Sequence, residues 1–294
     1  MRSLYRLLGW VLSAAVLCSC GVSKRDTTVF VKDEYGVVEK INPHKNEIYL
    51  VFTGHYSQSD SGYFENFDGV VPVLDILKEK GVKGSFFPTG VCFDVERYQE
   101  PVKRIIAEGH YLSSHSYAHL LLCENGVSLV SEDSLRADFA IMESRLEKYG
   151  LTHEQYCWLI PPYETYDKKA VDVMTDMGYR LVNPTGGFIT GMDWTSPGAS
   201  NYRSTEEILE HLWKYEQENT LNGVVLLIHA MNYPDRTDED RPYTHLGEII
   251  DRLKEKGYTF IHPFDDETVA TGQGTIAMEL FKELPTVDII LAPV

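Results

Sequence analysis

The sequence predicts an α/β fold with a parallel sheet, either a barrel or a doubly wound sheet, and three observations lead there. Apolar stretches of strand length alternate with amphipathic stretches of helix length from residue 47 to residue 262, the βαβα rhythm of a parallel sheet. The chain has 294 residues, 43% of them hydrophobic, enough for one large core. Its reactive side chains fall where strand-like segments end, and both architectures gather their sites there because the βα loops converge on that rim.

Taken in order, "EIYLVF" (47–52) reads as a strand, "VVPVLDILKEKG" (70–81) as a helix, "KGSFF" (83–87) as a strand and "ERYQEPVKRIIAEG" (96–109) as a helix. Pro101 lies inside the last of these and implies a kink or a late start. The rhythm continues with strand "YLSSH" (111–115), a long helix over 131–150, strand "CWLI" (157–160), helix "KKAVDVMTDMG" (168–178) and strand "YRLVN" (179–183). It ends with helix 204–218, strand "GVVLLIH" (223–229), helix 245–257 and strand "YTFIH" (258–262). No internal repeat is evident.

Ahead of this lies a different kind of sequence. Arg2 and Arg6 precede an apolar run from Leu7 to Leu17, the layout of an export signal and too short to span a bilayer comfortably. Leu17-Cys18-Ser19-Cys20 resembles a bacterial lipobox, so residues 1–19 are expected to be a signal peptide and Cys20 the lipidated residue that anchors an exported protein to the cell envelope. Residues 20–46 are polar and mixed in charge and read as a tether with a short entry strand; residues 47–294 read as one domain, a monomer, with a tail from Thr271 expected to pack on it. The formal charge of −17 becomes two units more negative once Arg2 and Arg6 are removed. Such a surface repels phosphate backbones and argues against a nucleic-acid partner. Cys92, Cys123 and Cys157 are spaced unlike any metal knuckle and read as buried free thiols or at most one bridge.

His55, His115, the Pro161-Pro162-Tyr163-Glu164 stretch and His229 all follow or end strand-like segments, so one rim should collect them. His115 and His119 stand four apart, a metal-ligand spacing if a turn of helix joins them. Alone that pair is a weak signal. Its context is "GSFFPTG" (84–90), "GHYLSSHSYAHL" (109–120), "IPPYE" (160–164), "MDW" (192–194) and "VVLLIHA" (224–230), followed by "IIDRLKEKGYTFIHPFD" (249–265). In kind and order these segments resemble the NodB-type polysaccharide deacetylases of carbohydrate esterase family four, over roughly residues 47–265.

The resemblance implies a deformed (β/α) barrel of about seven parallel strands. It also implies a divalent ion, often zinc, held by an aspartate and two histidines, with a second aspartate as general base and a late histidine as general acid. His115 and His119 match the histidine ligands and His229 the acid. Asp193 matches the aspartate that tunes that acid, and Trp194 and Tyr163 match pocket-wall residues, Tyr163 also offering a backbone N–H to an oxyanion hole. The chemistry suits the residues, since an ion lowers the pKa of water and polarises a carbonyl and imidazole titrates near neutrality.

The first motif departs from the family. Phe-Asp-Asp-Gly is expected and Phe52-Thr53-Gly54-His55 stands there, so both aspartates are missing. The arginine expected before Pro-Pro-Tyr is Ile160, and the glycine after the tyrosine is Glu164. An arginine without its carboxylate would be a poorly compensated buried charge, so the paired loss reads as a rebuilt site. Either His55 or Asp60 is expected to replace the missing ligand, and Glu164 to replace the base. The acidic stretch "AMNYPDRTDEDRPYTH" (230–245) could wall a subsite, but a solvated loop is the expected reading.

The function expected from all this is metal-dependent removal of acetyl groups from a carbohydrate substrate, an N-acetylhexosamine polymer or oligomer before an O-acetyl ester. A glycan-binding lipoprotein without turnover and a metal-dependent hydrolase of small amides are the alternatives.

Overall fold

In the computed structural model, residues 28–58, 64–233 and 235–262 are described. The described part opens with a hairpin of β1 (Phe30–Lys32) and β2 (Val38–Ile41), then runs through β3 (Glu47–Gly54). Two short strands, β4 (Ser57–Gln58) and β5 (Phe64–Glu65), pair beyond it and lead to α1 (Val70–Lys80), β6 (Ser85–Pro88), α2 (Gln99–Ala107) and β7 (Tyr111–Leu112). A second small hairpin, β8 (Cys123–Glu124) with β9 (Val127–Ser128), precedes α3 (Glu132–Glu147), α4 (His153–Tyr156), β10 (Trp158–Leu159), α5 (Lys168–Asp176) and β11 (Arg180–Leu181). The described part closes with α6 (Thr205–Asn219), β12 (Val224–His229), α7 (Leu246–Glu255) and β13 (Thr259–Phe260).

The main sheet has the order β1-β2-β12-β3-β6-β7, with β13 also on β3. All its pairings are parallel except those of β2 with β1 and with β12. The wall continues through the parallel pair β10-β11. On one side a bridge between Val38 and Val182 joins it to β2. On the other no ladder links β7 to β10, and side chains take over. Tyr111 Oη donates to Trp158 O and accepts from Trp158 N, Ser113 Oγ donates to Tyr156 O, and His115 Nδ1 contacts Ile160 O at 2.8 Å. Residues 111, 113 and 115 alternate along one extended stretch and so point the same way. The barrel is deformed because side chains, not backbone, close that seam.

The alternation also sorts the core. Tyr49 and Val51 of β3, Val225 and Leu227 of β12, and Phe87, Tyr111, Trp158 and Ile160 fill the barrel interior. Their neighbours Leu50, Phe52, Leu226 and Ile228 pack outward in one cluster with Leu74, Leu77, Ile249, Ile250 and Leu253 of the covering helices. Strands buried on both faces read as continuous apolar runs, which is why β3 and β12 were legible.

Two expectations need correction. Residues 20–46 were read as a tether with an entry strand, but from Phe30 the segment forms the hairpin whose β2 is part of the barrel wall. The stretch 111–115 contributes only two residues to the ladder. Of the two readings of Pro101 the late start is the one found: a 3₁₀ turn over Glu96–Tyr98 delays the α-helix to Gln99, which puts the proline in the first turn, where its missing N–H costs nothing. Cys92, Cys123 and Cys157 are free thiols, the first two buried. Among the described residues no helix is long and apolar enough to cross a membrane. Residues 1–19, Cys20 and the tail from Thr271 lie outside the described residues.

Candidate functional site at the barrel mouth

The carboxyl ends of β3, β6, β7, β10 and β12 surround one mouth, and the inward alternation carries Thr53 and His229 up to it side by side in register. His115 reaches the same mouth from the loop after β7. Its Nδ1 lies 2.8 Å from the Ile160 carbonyl, which can only accept, so Nδ1 carries the proton and Nε2 is the nitrogen left for the site. Glu164 Oε1 stands 3.5 Å from that Nε2 and is buried without a hydrogen-bond partner. Burial, the largest influence on this carboxyl, raises its pKa; the neighbouring His115 and His229 outweigh it and hold the pKa below the usual value.

The ring of His119 lies 5.1 Å from that of His115 and 4.7 Å from that of His55, centre to centre, and stacks on Tyr163 at 4.0 Å. Burial pushes the His119 imidazole down to about 2, with further lowering from His115, His55 and His229, so the ring is neutral and has a lone pair to offer. His55 Nδ1 meets Thr89 Oγ1 at 2.8 Å, and its backbone N–H points to Met231 Sδ. His229 is held twice by buried Asp193, whose Oδ1 lies 2.5 Å from Nδ1 and whose Oδ2 accepts from the backbone N–H at 3.0 Å. A carboxylate facing Nδ1 keeps the proton there and turns Nε2 outward. Tyr163 and Trp194 are 48% and 44% exposed, as wall residues would be.

The helical turn expected between His115 and His119 is absent. The segment is a loop with Ser116 at φ 65° and His119 at φ 56°, strain that surrounding structure must hold. Much of that holding comes from Asp138 of α3, buried, whose two oxygens accept from the amides of Tyr117 (2.7 Å) and Ala118 (2.9 Å). Gly90 lets the loop approach, since a Cβ there would meet Tyr117 Cα at 2.8 Å. Asp138 was missed from sequence because a single acid inside a charged helix gives no local signal. Asp138→Ala is expected to cost about 1–3 kcal/mol through unpaired amides, and Asp138→Asn less because one acceptor survives. Urea unfolding of both variants measures this; an unchanged midpoint in Asp138→Ala would show that Asp138 does not hold the loop.

The departures in the first motif have structural counterparts. Thr53 is buried and its Oγ1 lacks a hydrogen-bond partner. Ile160 belongs to the apolar interior, where an arginine would be stranded. A Cβ on Gly54 would lie 2.1 Å from Cδ2 of the fully buried Phe67 ring, so that ring occupies the room of any side chain at 54. Phe67 is a second residue that the sequence did not single out. Asp60, the alternative to His55, lies outside the described residues.

Among the described residues no three His, Cys, Asp or Glu side chains form a group that could hold a metal ion. The donors themselves suit a divalent ion: a fixed imidazole nitrogen, a neutral second imidazole and a buried carboxylate oxygen with no other partner.

Comparison with known proteins finds similarity to carbohydrate deacetylases. Residues 40–182 match the family model described as polysaccharide deacetylase. The peptidoglycan-N-acetylmuramic acid deacetylase PdaA of Bacillus subtilis is 28% identical over 221 residues, covering 74% of this chain and 70% of that protein. The solved structure of B. subtilis PdaA, a family 4 carbohydrate esterase, superposes with a TM-score of 0.56 at 25% identity over 77% of this chain and 82% of that one. A further stretch of similarity is short: 45 residues, 54% identical to an L-threonine ammonia-lyase of Geobacter sulfurreducens, cover 15% of this chain and 11% of that enzyme. A match of that length is less than a domain and carries no activity with it.

Proposed function

We propose that this chain, a divergent relative of the polysaccharide deacetylases of carbohydrate esterase family four, is a metal-dependent hydrolase that removes acetyl groups from a carbohydrate. An N-acetylhexosamine polymer or oligomer is the preferred substrate class, with O-acetyl esters second. The observation that carries the reading is the gathering of His115, His119, Glu164 and the Asp193–His229 pair at one barrel mouth.

His115 and His119, with His55 beside them, would hold the ion, zinc being the metal their donors suit. When bound, the ion supplies a water of lowered pKa and a polarised acetyl carbonyl. Glu164 takes the proton from the attacking water. The carbonyl carbon gains the water oxygen and loses its bond to nitrogen, or to oxygen in an ester. His229 Nε2 protonates the leaving amine, while Asp193 fixes its ring and stabilises the imidazolium. Tyr163 and Trp194 offer exposed ring faces to a sugar. Export and a lipid on Cys20 belong to the same proposal, supported by the charged start, the apolar run and the Leu17-Cys18-Ser19-Cys20 ending.

Thr53 and Gly54 favour one rival, a glycan-binding protein that no longer turns over. Acetate release from acetylated chito- and xylo-oligosaccharides, with bound metal quantified, separates them. Wild type is expected to release acetate and His115→Ala to release none. Retained metal with no acetate from any substrate would put the binding protein ahead.

A further inference from the structure

Outside the mouth, the barrel wall carries another concave surface that the deacetylase reading does not use. It is a cleft of about 440 Å³ between the β1-β2 hairpin, the β10-β11 pair and α5, within the roughly 300–1,000 Å³ of small-ligand clefts. Phe30, Lys32 and Tyr35 line it from the hairpin, Trp158 and Arg180 from the first residues of β10 and β11, and Thr175 from α5. Among the described residues it shares no side chain with the mouth.

The charge of this cleft runs against that of the chain. The formal charge is −17, yet the cleft gathers two exposed cations, Lys32 and Arg180, and neither is in an ion pair among the described residues. The acids on α5 are taken by other cations, Asp172 by Lys168 at 2.7 Å and Asp176 by Arg136 at 2.6 Å. The Arg180 guanidinium lies 5.8 Å from the centre of the Trp158 ring, and Phe30 packs on the same indole at 5.6 Å. Phe30 and Tyr35 each remain 39% exposed. Asp33 fixes the rim: Oδ1 accepts from the amides of Tyr35 (2.9 Å) and Val37 (2.8 Å), and Oδ2 from Tyr166 Oη (2.9 Å). Rings and cations are thus placed before a ligand arrives, which lowers the ordering cost of binding.

Exposed aromatic faces suit sugar rings, and cations without a protein partner suit carboxylates. We propose that this cleft is a second carbohydrate site, separate from the mouth, that binds a glycan carrying carboxylate groups. The choice of a glycan rests on the deacetylase reading above; the choice of an anionic one rests on Lys32 and Arg180. An acidic polypeptide is the rival occupant, and the exposed rings favour the sugar.

The test is calorimetric titration of the full-length protein with three probes: a hexasaccharide alternating glucuronic acid and N-acetylglucosamine, a neutral hexamer of N-acetylglucosamine, and a glutamate hexapeptide. Wild type is expected to bind the acidic hexasaccharide, more weakly as salt rises. Lys32→Ala, Arg180→Ala and Phe30→Ala should each weaken that binding by about three- to tenfold, and Trp194→Ala at the mouth should leave it unchanged. Binding of the neutral hexamer should not respond to Lys32→Ala or Arg180→Ala. Thermal unfolding of each variant checks the fold, and Lys32, an exposed side chain, can be removed without disturbing the core. No binding of the acidic hexasaccharide, or binding that Lys32→Ala and Arg180→Ala leave unchanged, overturns the proposal. A glutamate peptide bound more tightly than the glycan and lost in the same variants overturns it in favour of an acidic polypeptide. Acetate release is scored separately on wild type: cleft binding without acetate from any substrate keeps the cleft and sinks the deacetylase reading, and acetate release without cleft binding does the reverse.

Discussion

His229→Ala should lower kcat for acetate release by about 10²–10⁴-fold, the range general acid–base catalysis supplies, with little change in KM or in bound zinc. The leaving amine departs as a poor anion unless it is protonated, and among the described residues His229 is the imidazole that a carboxylate orients toward the mouth. Asp193 Oδ1 fixes Nδ1 and Asp193 Oδ2 holds the backbone N–H of the same residue, so ring and main chain are located by one buried group. Asp193→Asn should then give a smaller loss in kcat and move the pH–rate profile, because an amide stabilises the imidazolium less than a carboxylate does. The measurement is kcat against pH on one acetylated oligosaccharide. A His229→Ala protein with near wild-type kcat would remove His229 as the acid, and an unmoved profile in Asp193→Asn would reduce Asp193 to a packing residue.

Strand and helix order was legible wherever local periodicity and burial agree. β3 and β12 are apolar on both faces, and α7 keeps Leu246, Ile249, Ile250 and Leu253 on one buried side. The convergence of His55, His115, Glu164 and His229 was legible too, because parallel strands bring their carboxyl ends to one rim. What escaped depends on contacts between distant segments. The short charged strands of the β1-β2 hairpin owe their place to β12 and Val182, not to their own propensity. The acidic stretch 230–245 read as solvated, yet Arg236 is buried and donates to the carbonyls of Thr195, Arg203 and Asp240. Asp240 in turn accepts from the amide of Thr205 at the start of α6. Its charges fasten one loop to another, and charge pattern alone does not distinguish that from exposure to water.

Placing at position 54 the aspartate that the resemblance leads one to expect should fail, and the reason is Phe67. A Cβ at 54 meets that ring at 2.1 Å, and the ring is fully buried with Tyr98 packed edge-on against it. Gly54→Ala should cost about 1–3 kcal/mol as overpacking. Gly54→Asp adds a carboxylate short of solvent and partners, bringing the loss to roughly 3–5 kcal/mol, a large part of a domain's usual 5–15 kcal/mol. Phe67→Ala alone should cost about 3–5 kcal/mol through its cavity. In the double variant each change relieves the other, so the combined loss should fall short of the sum by at least about 1 kcal/mol. Urea unfolding of wild type, Gly54→Ala, Phe67→Ala and the Gly54→Ala/Phe67→Ala double variant measures that coupling. Strict additivity would mean the ring yields freely, and the space beside β3 would then be open to a ligand after all. Coupling of the expected size would show that the Phe67 ring holds the space beside Gly54, so a carboxylate at position 54 has no room on the β3 side of the mouth.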